Sequence, residues 1–265
     1  MIYVKPKKYL GQHFLKDEDI AKQIVDSLSL CNAYSKVLEV GAGTGVLTKY
    51  LIQNKNYETS IIDIDRESIE HLRQKFPQLE HRIIEGDFLK LNFENIFSSH
   101  HPSFALIGNF PYNISSQILF KVLEHKNQIP EVVGMFQKEV GERISSSPKN
   151  KSYGILSVLT QAFYTVEYLF TVNENVFNPP PKVKSAVLHF TRNNIAQLAC
   201  DEKLFFQVVK TAFNQRRKTL RNSLKKYFMD KNSQDIPFLH QRAEELSWQE
   251  FEKLTSLIET LPSKI

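Results

Sequence analysis

The sequence has few cysteines, no metal-binding pattern and no long apolar run. Its two cysteines, Cys31 and Cys200, lie far apart in a chain of 265 residues, which suggests neither a disulfide framework nor a zinc site. The eight histidines are scattered, so no metal site is predicted. The first ten residues lack the apolar core of a signal peptide, and no run is long enough to span a bilayer. We therefore expect a cytoplasmic protein with reduced thiols.

The composition is that of an ordinary globular protein with a basic bias. Hydrophobic residues make up 42% and charged residues 24% of the chain, with no signature of disorder. Lysine and arginine number 34 against 29 aspartates and glutamates, a formal charge of +5. This excess modestly favours an anionic partner, although the place where charge concentrates matters more. The length suits one large domain with a small appendage, and nothing requires more than a monomer.

Strands and helices alternate through the first two thirds of the chain. Strands are predicted at 36–40, 60–64, 81–85, 104–107 and 131–137, with helices between them. This alternation indicates βαβ units, a mainly parallel sheet and thus a Rossmann-like α/β fold. An apolar segment at 156–170 is predicted to be helical, and 184–190 to be a further strand.

The sequence changes character near residue 194. From Asp201 onward the apolar spacing is helical with no convincing strand. Ser247 and Glu250 have the spacing of a capping box that opens the last helix. We therefore predict a catalytic α/β domain at 1–194 and a small all-helical, RNA-binding domain at 195–265.

A glycine-rich loop follows the first of these strands. Glu39, Gly41, Gly43 and Gly45 form the pattern E-x-G-x-G-x-G. The third glycine comes one residue too early for the dinucleotide fingerprint G-x-G-x-x-G. Such a loop brings the backbone and a helix N-terminus close to a ligand. It is similar to the first motif of S-adenosylmethionine-dependent methyltransferases, and this resemblance implies S-adenosylmethionine as the cofactor.

Two aspartates end the next two predicted strands. Asp63 is placed to accept hydrogen bonds from the two hydroxyls of a ribose, and Asp87 to accept one from an adenine amino group. Taken alone, each aspartate is better explained as a helix cap or a solvated loop residue. The carboxyl ends of parallel strands form the ligand crevice of such folds, so the three strand ends together favour a cofactor site.

A polar-aromatic turn, Asn109-Phe110-Pro111-Tyr112, ends the fourth predicted strand. Phe110 precedes proline and is therefore biased toward an extended backbone, which would point its carbonyl the same way as the Asn109 side chain. Two acceptors beside the Tyr112 ring suit an exocyclic amino group on a planar base. A strand end capped by a turn explains the same residues when they are taken alone.

Several motifs together resemble the ribosomal RNA adenine dimethyltransferases. The turn at 109–112 is similar to the motif of enzymes that methylate base amino groups, in the variant with an apolar second residue. Segments 11–15, 177–183 and 212–221 match the same family, so the resemblance spans about residue 5 to residue 260. The last segment, together with 111–115, resembles the branch that acts on bacterial 16S rRNA.

The resemblance implies dimethylation of N6 on two adjacent adenosines in a hairpin near the 3′ end of small-subunit rRNA, with a role in small-subunit biogenesis. The implied cofactor contacts are His13, Leu15, Gly41, Asp63, Asp87 and Asn109. The implied catalytic residues are Asn109, Phe110, Tyr112 and Phe177. The Tyr112 ring would stack on one face of the base, and the Phe177 ring would close its other face. His13 stands where asparagine is usual and Asp63 where glutamate is usual, so a longer or water-mediated ribose contact is expected.

The clearest charge feature is the segment 204–229, which contains seven lysines and arginines and no acidic residue. A solvated helix face is the ordinary explanation of such a run. Because apolar residues for packing lie between the charges, we favour a basic face that follows a phosphate backbone. The predicted RNA contacts are Arg216, Arg217, Lys218 and Arg221.

Two rival functions stay open on the sequence alone. One is adenine methylation of large-subunit rRNA or of DNA, although the form of the turn and the basic segment disfavour DNA. The other is a non-catalytic assembly factor that binds small-subunit precursors and uses the cofactor fold as a scaffold. The intact cofactor motifs and Asn109 favour retained catalysis.

Overall fold

A computed structural model describes residues 4–29, 32–97, 103–228 and 236–261, so Cys31 lies outside the described residues. The strands are β1 (Phe14–Leu15), β2 (Lys36–Val40), β3 (Glu58–Asp63), β4 (Ile83–Glu85), β5 (Ala105–Asn109), β6 (Glu131–Gln137), β7 (Tyr164–Val172), β8 (Phe177–Asn178) and β9 (Ser185–Arg192). The α-helices are α1 (Glu18–Asp26), α2 (Thr48–Leu51), α3 (Arg66–Lys75), α4 (Glu94–Phe97), α5 (Ser115–Glu124), α6 (Lys138–Ser145), α7 (Ile155–Gln161), α8 (Glu202–Asn214), α9 (Leu220–Ser223) and α10 (Trp248–Thr260).

Seven strands form one sheet in the order β4-β3-β2-β5-β6-β9-β7. The pairs from β4 to β6 are parallel, and β9 runs antiparallel to β6. The chain moves outward from β2 to β4 and then returns to β5 on the other side of β2. This reversal makes the β2–β5 boundary the topological switch point, where open α/β sheets bind ligands. The predicted Rossmann-like α/β fold is confirmed.

Both faces of the central strands are buried, which explains their nearly continuous apolar sequences. Residues 37–40 of β2, 105–108 of β5 and 131–136 of β6 are all buried. One apolar cluster joins Val37, Ile107 and Met135 of these strands to Ile24 of α1. Asp17 starts α1 by accepting a hydrogen bond from the Ile20 amide at 3.0 Å. The core therefore holds β2 and β5 rigidly at the switch point.

The predicted helix at 156–170 is wrong in its second half. Helix α7 ends at Gln161, and the chain continues as β7 at the edge of the sheet. β7 is rich in aromatic and β-branched residues, which favour strands. Pairing with β9 therefore decides its conformation, and the apolar character that suggested a helix is shared by both structures.

The chain divides into two compact units. The first comprises Met1–Gly141 and Val166–Arg192, and the second comprises Glu142–Thr165 and Asn193–Ile265. The predicted boundary near residue 194 lies close to the crossing after Arg192. The segment Glu142–Thr165, however, was assigned to the first predicted domain and belongs to the second unit, because α7 packs against α8.

The second unit is helical, as predicted for its C-terminal part. Its core is made by α7, α8 and α10, with Phe205 and Phe251 fully buried. The predicted capping box is confirmed, since the Ser247 amide donates to Glu250 Oε2 at 2.7 Å and the Glu250 amide donates to Ser247 Oγ at 3.3 Å. No helix in the described ranges is long and apolar enough to cross a membrane.

Candidate active site

The carboxyl ends of β2, β3, β4 and β5 and the N-terminal segment line one cavity in the first unit. We call it the cofactor cavity. The space between its lining atoms is about 680 Å³, which includes open solvent at the mouth. Its lining residues are 10–14, Val40, Gly41, Gly43, 62–64, 86–88, 109–112 and Ile114. Five of the six predicted cofactor residues lie in this lining, and Leu15 is the exception.

The glycine loop after β2 needs its glycines for both conformation and space. Gly41, Gly43 and Gly45 have φ values of +72°, +55° and +74°, which L side chains rarely adopt. A Cβ on Gly43 would lie 2.7 Å from Cε1 of Phe14. The loop therefore keeps its backbone against the cavity and leaves room for the Phe14 ring.

Asp63 ties this loop to the end of β3. Its Oδ2 accepts a hydrogen bond from the Gly43 amide and its Oδ1 from the Asp65 amide, both at 2.9 Å. Burial raises the pKa of the Asp63 carboxyl above its ordinary value, and the two amide hydrogen bonds oppose that rise. Each carboxylate oxygen has a second lone pair, so Asp63 can still accept hydrogen bonds from ligand hydroxyls in the cavity.

Asp87 caps a short helical turn and also faces the cofactor cavity. Its Oδ1 accepts from the Leu89 amide at 2.9 Å, as the alternative interpretation expected. Between Asp63 and Asp87 the cavity wall carries Ile64, whose side chain is 54% exposed. Ile64 gives a flat ligand an apolar surface. The sequence signal that we missed was this single apolar residue between Asp63 and Asp65 at the end of β3.

The N-terminal segment contributes a lining residue that was not predicted. Phe14 and Leu15 form β1, which pairs with β8. Successive side chains of a strand point to opposite faces, so Phe14 lines the cavity while Leu15 is buried in the apolar core. The Leu15 side chain is thus directed away from the cavity, its contact with the cofactor stays a prediction, and Phe14 is an additional lining residue.

Asn109 is oriented by a neighbouring carbonyl. Its Nδ2 donates a hydrogen bond to the backbone oxygen of His13 at 2.8 Å. Because the amide nitrogen has this partner, Oδ1 is the acceptor that the side chain presents to the cavity. The Phe110 ring is buried and lies edge-on to Phe136, with ring centroids 5.3 Å apart. The backbone of Phe110, rather than its ring, is thus the part available to a ligand.

Tyr112 forms a fixed wall. Its hydroxyl is 2.5 Å from Oγ of the buried Ser185, and its ring stacks on the His13 ring with centroids 5.4 Å apart and planes 27° apart. Burial raises the pKa of Tyr112 above its ordinary value, against the lowering effect of the Ser185 hydrogen bond. The phenol is therefore neutral at physiological pH. His13 is itself anchored, with Nδ1 2.7 Å from the Pro179 oxygen.

Phe177 packs in the apolar core of the first unit. Its side chain is 1% exposed and packs in the apolar cluster with Leu15 and Met135. It lines neither the cofactor cavity nor the one beside it. The physical reason is again β1–β8 pairing, which sets Phe177 opposite Leu15 and directs both side chains into the core. Phe177 therefore has a packing role in this arrangement, and its stacking on a base stays a prediction.

A second cavity adjoins the first. We call it the acceptor cavity. Gly11, Gln12, His13 and Tyr112 line both cavities. The other lining residues are Pro6, Lys8, Gln137 and 179–183. The site therefore has two compartments, with Tyr112 and His13 at their boundary.

The predicted RNA contacts lie in the second unit and do not form one continuous helix. Helix α8 ends at Asn214, and a turn carries Arg216, Arg217 and Lys218 before α9. The Arg216 Nη2 donates to the Lys151 backbone oxygen at 2.6 Å, so an intramolecular hydrogen bond already occupies this guanidinium. Arg217 and Lys218 are exposed, and Arg221 is half-buried.

Comparison with known proteins shows the family to which this chain belongs. The family profile described as "Ribosomal RNA adenine dimethylase" matches residues 4–259. The chain belongs to the ribosomal RNA adenine dimethylase family. It is therefore a methyltransferase by family, as the motifs at the three strand ends predicted.

Relatives within the family are similar over nearly their whole length. The ribosomal RNA small subunit methyltransferase A of Flavobacterium johnsoniae is 60% identical over 97% of this chain and 97% of that protein. The enzyme of the same name from Cytophaga hutchinsonii is 58% identical over 96% and 98%.

Two solved structures superimpose well on this chain. A dimethyladenosine transferase from Plasmodium falciparum has a TM-score of 0.77 at 26% identity, over 93% of this chain and 98% of that one. The 23S rRNA methyltransferase ErmE has a TM-score of 0.66 at 22% identity, over 92% and 99%. At that identity the likeness to ErmE is one of fold.

Proposed function

We propose that this protein transfers methyl groups from S-adenosylmethionine to N6 of two adjacent adenosines near the 3′ end of 16S rRNA, and acts in small-subunit biogenesis. The observation that carries the proposal is Asn109, whose oxygen is turned toward the cavity by the His13 carbonyl. The names and the 58–60% identity of the small-subunit relatives support the choice of rRNA.

The cofactor cavity fits S-adenosylmethionine. Asp63 would accept hydrogen bonds from the ribose hydroxyls and Asp87 one from the adenine amino group, with the adenine against Ile64. Gly41 permits close approach of the backbone, and His13 closes the cavity from the N-terminal side. Bound there, the cofactor supplies an electrophilic methyl group on a sulfonium. The carboxylates, the glycine loop and the apolar wall are all present in one cavity.

Asn109 and Phe110 would act on the acceptor nitrogen. The lone pair of an adenine amino group is delocalised into the ring, which makes the nitrogen a poor nucleophile. Acceptance of its hydrogens by Asn109 Oδ1 and the Phe110 carbonyl favours a nitrogen whose lone pair points toward the methyl group. Tyr112 stacks on the base. The chain thus contributes positioning and electrostatics rather than a strong base.

The target adenosine must leave its stack to reach this site. Extrusion of a base costs a few kcal/mol and is least costly outside a duplex. Contacts elsewhere on the RNA offset that cost, and we assign them to the basic turn of the second unit. Arg217 and Lys218 are the exposed members, while Arg216 and Arg221 complete the predicted set.

Label transfer separates this function from its rivals. The full-length protein is incubated with methyl-labelled S-adenosylmethionine and unmethylated small-subunit particles, large-subunit rRNA or duplex DNA, and the label is mapped. We expect dimethylated adenosines in small-subunit rRNA alone. Label on large-subunit rRNA or on DNA would contradict the substrate, and binding to particles without label would indicate an assembly factor.

A further inference from the structure

Gln137 ends β6 and lines the acceptor cavity together with Tyr112 and His13. Its side chain is half-buried. It is the polar residue at the carboxyl end of β6, as Asn109 is at the end of β5. No role for the Gln137 amide follows from the sequence motifs or from the contacts described above.

The strand register fixes the face on which Gln137 lies. Gln137 is directly opposite Ser185 in the antiparallel β6–β9 pair, and side chains of opposed residues share a face. The Ser185 hydroxyl holds the Tyr112 hydroxyl at 2.5 Å. Gln137 therefore stands beside the anchor of the Tyr112 wall.

The same register relates Gln137 to Asn109. Asn109 pairs with Met135 in the parallel β5–β6 pair, and Gln137 is two residues beyond Met135 on the same face. A strand rise of about 3.3 Å per residue and a spacing of about 4.8 Å between strands put the two Cα atoms about 8 Å apart. Their side chains can therefore reach two atoms on one edge of a purine placed between them.

Adenine presents a matching edge. Its N6 amino group is a donor, and both ring nitrogens nearest to it, N1 and N7, are acceptors. Asn109 and the Phe110 carbonyl take the hydrogens of N6, which leaves a ring nitrogen in need of a donor. Gln137 Nε2 is such a donor. Guanine would bring its O6 acceptor against the oxygen of Asn109 and would be rejected.

We propose that Gln137 donates a hydrogen bond to N1 or N7 of the target adenine and thereby orients the base for methyl transfer. The inference rests on the proposed function and deepens it, because it assigns the base-orienting contact within the same site. Gln137 acts on the acceptor, and the cofactor cavity does not include it.

Gln137→Met tests this proposal, since methionine keeps the length and removes the donor. Small-subunit particles are rebuilt with synthetic rRNA segments that carry adenosine, 1-deazaadenosine or 7-deazaadenosine at the target. With adenosine, we expect Gln137→Met to lower kcat/KM about five- to tenfold, the effect of one hydrogen bond. One deaza analogue should lower the wild-type rate by a similar factor and add nothing to the loss in Gln137→Met.

The controls separate the possible failures. S-adenosylmethionine affinity of Gln137→Met should match the wild type, which shows an intact fold, and Gln53→Met in the exposed turn after α2 should keep full kcat/KM. The proposal would be overturned if, for both analogues, the loss caused by the analogue multiplied the loss caused by Gln137→Met. Full activity of Gln137→Met on adenosine would overturn it as well. Absence of methyl transfer by the wild-type protein would instead overturn the proposed function.

Discussion

Asn109 is positioned before any ligand binds. The hydrogen bond from Nδ2 to the His13 carbonyl fixes the amide, and the buried Phe110 ring fixes the turn that follows. An acceptor that is already oriented needs no reorganisation when the reaction occurs, which is how preorganised polar groups stabilise a transition state. The usefulness of Asn109 therefore depends on residues that never touch the base.

Asn109→Ala should lower kcat for methyl transfer about 100- to 1000-fold, the usual effect of losing one preorganised electrostatic contact. Asn109→Asp is the matched variant, because it keeps an acceptor and loses the donor to His13. We expect its kcat to fall between those of the wild type and Asn109→Ala. Label incorporation measures kcat, and circular dichroism checks the fold. A folded Asn109→Ala variant with full activity would refute the assigned role.

Glu39 makes stability depend on pH. It is buried beneath the glycine loop with Oε2 2.5 Å from the Thr48 hydroxyl, and burial raises its pKa to about 7. Its folded pKa lies above the unfolded value of 4.5. The contribution of Glu39 to the free energy of unfolding is therefore fully present below pH 4.5 and is lost as the pH rises through 7.

Glu39→Gln removes this ionisation and keeps an acceptor for Thr48. Relative to the wild type, its free energy of unfolding should increase between pH 4.5 and pH 8, by up to about 3 kcal/mol from a shift of roughly 2.5 pKa units. Urea unfolding at several pH values measures the difference. Glu58→Gln, which removes an exposed carboxylate from β3, is the control. An equal pH dependence in both variants would contradict the prediction.

At the scale of elements, short-range sequence patterns predicted the strand bounds and helix caps that depend only on neighbouring residues. The bounds of β2 and β6 and the Ser247 capping box follow from apolar patterns and capping chemistry. The pairing of β1 with β8 did not follow, because two-residue strands have no period and depend on a partner far along the chain. The sequence therefore did not show that this pairing turns the side chains of Leu15 and Phe177 into the core.

The site shows the same division. Glycines and aspartates at strand ends were recognised because their types and spacing reflect the chemistry of a ligand. Ile64, Phe14 and Gln137 were missed because their importance comes from the direction of a side chain, which only the register of the strands determines. The N-terminal segment was assigned through resemblance, and its attachment to the fold came only from the structure.

That attachment is a polar cluster at Asp65, the N-cap of α3. Lys7 Nζ forms an ion pair with Asp65, and Gln12 Nε2 donates to Asp65 Oδ2 at 3.0 Å. Burial would raise the pKa of Asp65, but these bonds hold it below its ordinary value. The side chain of Asp65 is fully buried, and that of Lys7 is 23% exposed. The cluster therefore fixes residues 10–14 against the cofactor cavity.

Asp65→Asn should weaken S-adenosylmethionine binding about tenfold, which corresponds to about 1.4 kcal/mol. Asparagine still caps α3 through Oδ1, but it loses the charge that pairs with Lys7 and the Oδ2 acceptor for Gln12 Nε2. Calorimetric titration measures the affinity. Glu67→Gln is the control, because Glu67 lies 3.3 Å from the same lysine but is half-exposed, and exposed ion pairs contribute little. Unchanged affinity in Asp65→Asn would show that the cluster does not hold the segment in place.

At the scale of the molecule, charge is unevenly distributed. The seven basic residues at 204–229 exceed the net charge of +5 for the whole chain. The two cavities of the first unit are lined by carboxylates, amides and aromatic rings, with Lys8 and Lys182 as their lysines. Most of the affinity for a polyanion must therefore come from elsewhere, and the exposed turn of the second unit is the strongest candidate in the described part of the chain.

Arg217→Ala with Lys218→Ala should reduce both RNA affinity and its dependence on salt. Each lost phosphate contact lowers the slope of log Kd against log salt by about 0.7 for a single strand, or about 1.4 for the pair. Fluorescence anisotropy over a salt series measures the slope. Lys203→Ala with Lys253→Ala removes equal charge from exposed positions of the same unit and should change it much less. Equal changes in both pairs would mean that net charge, rather than this turn, holds the RNA.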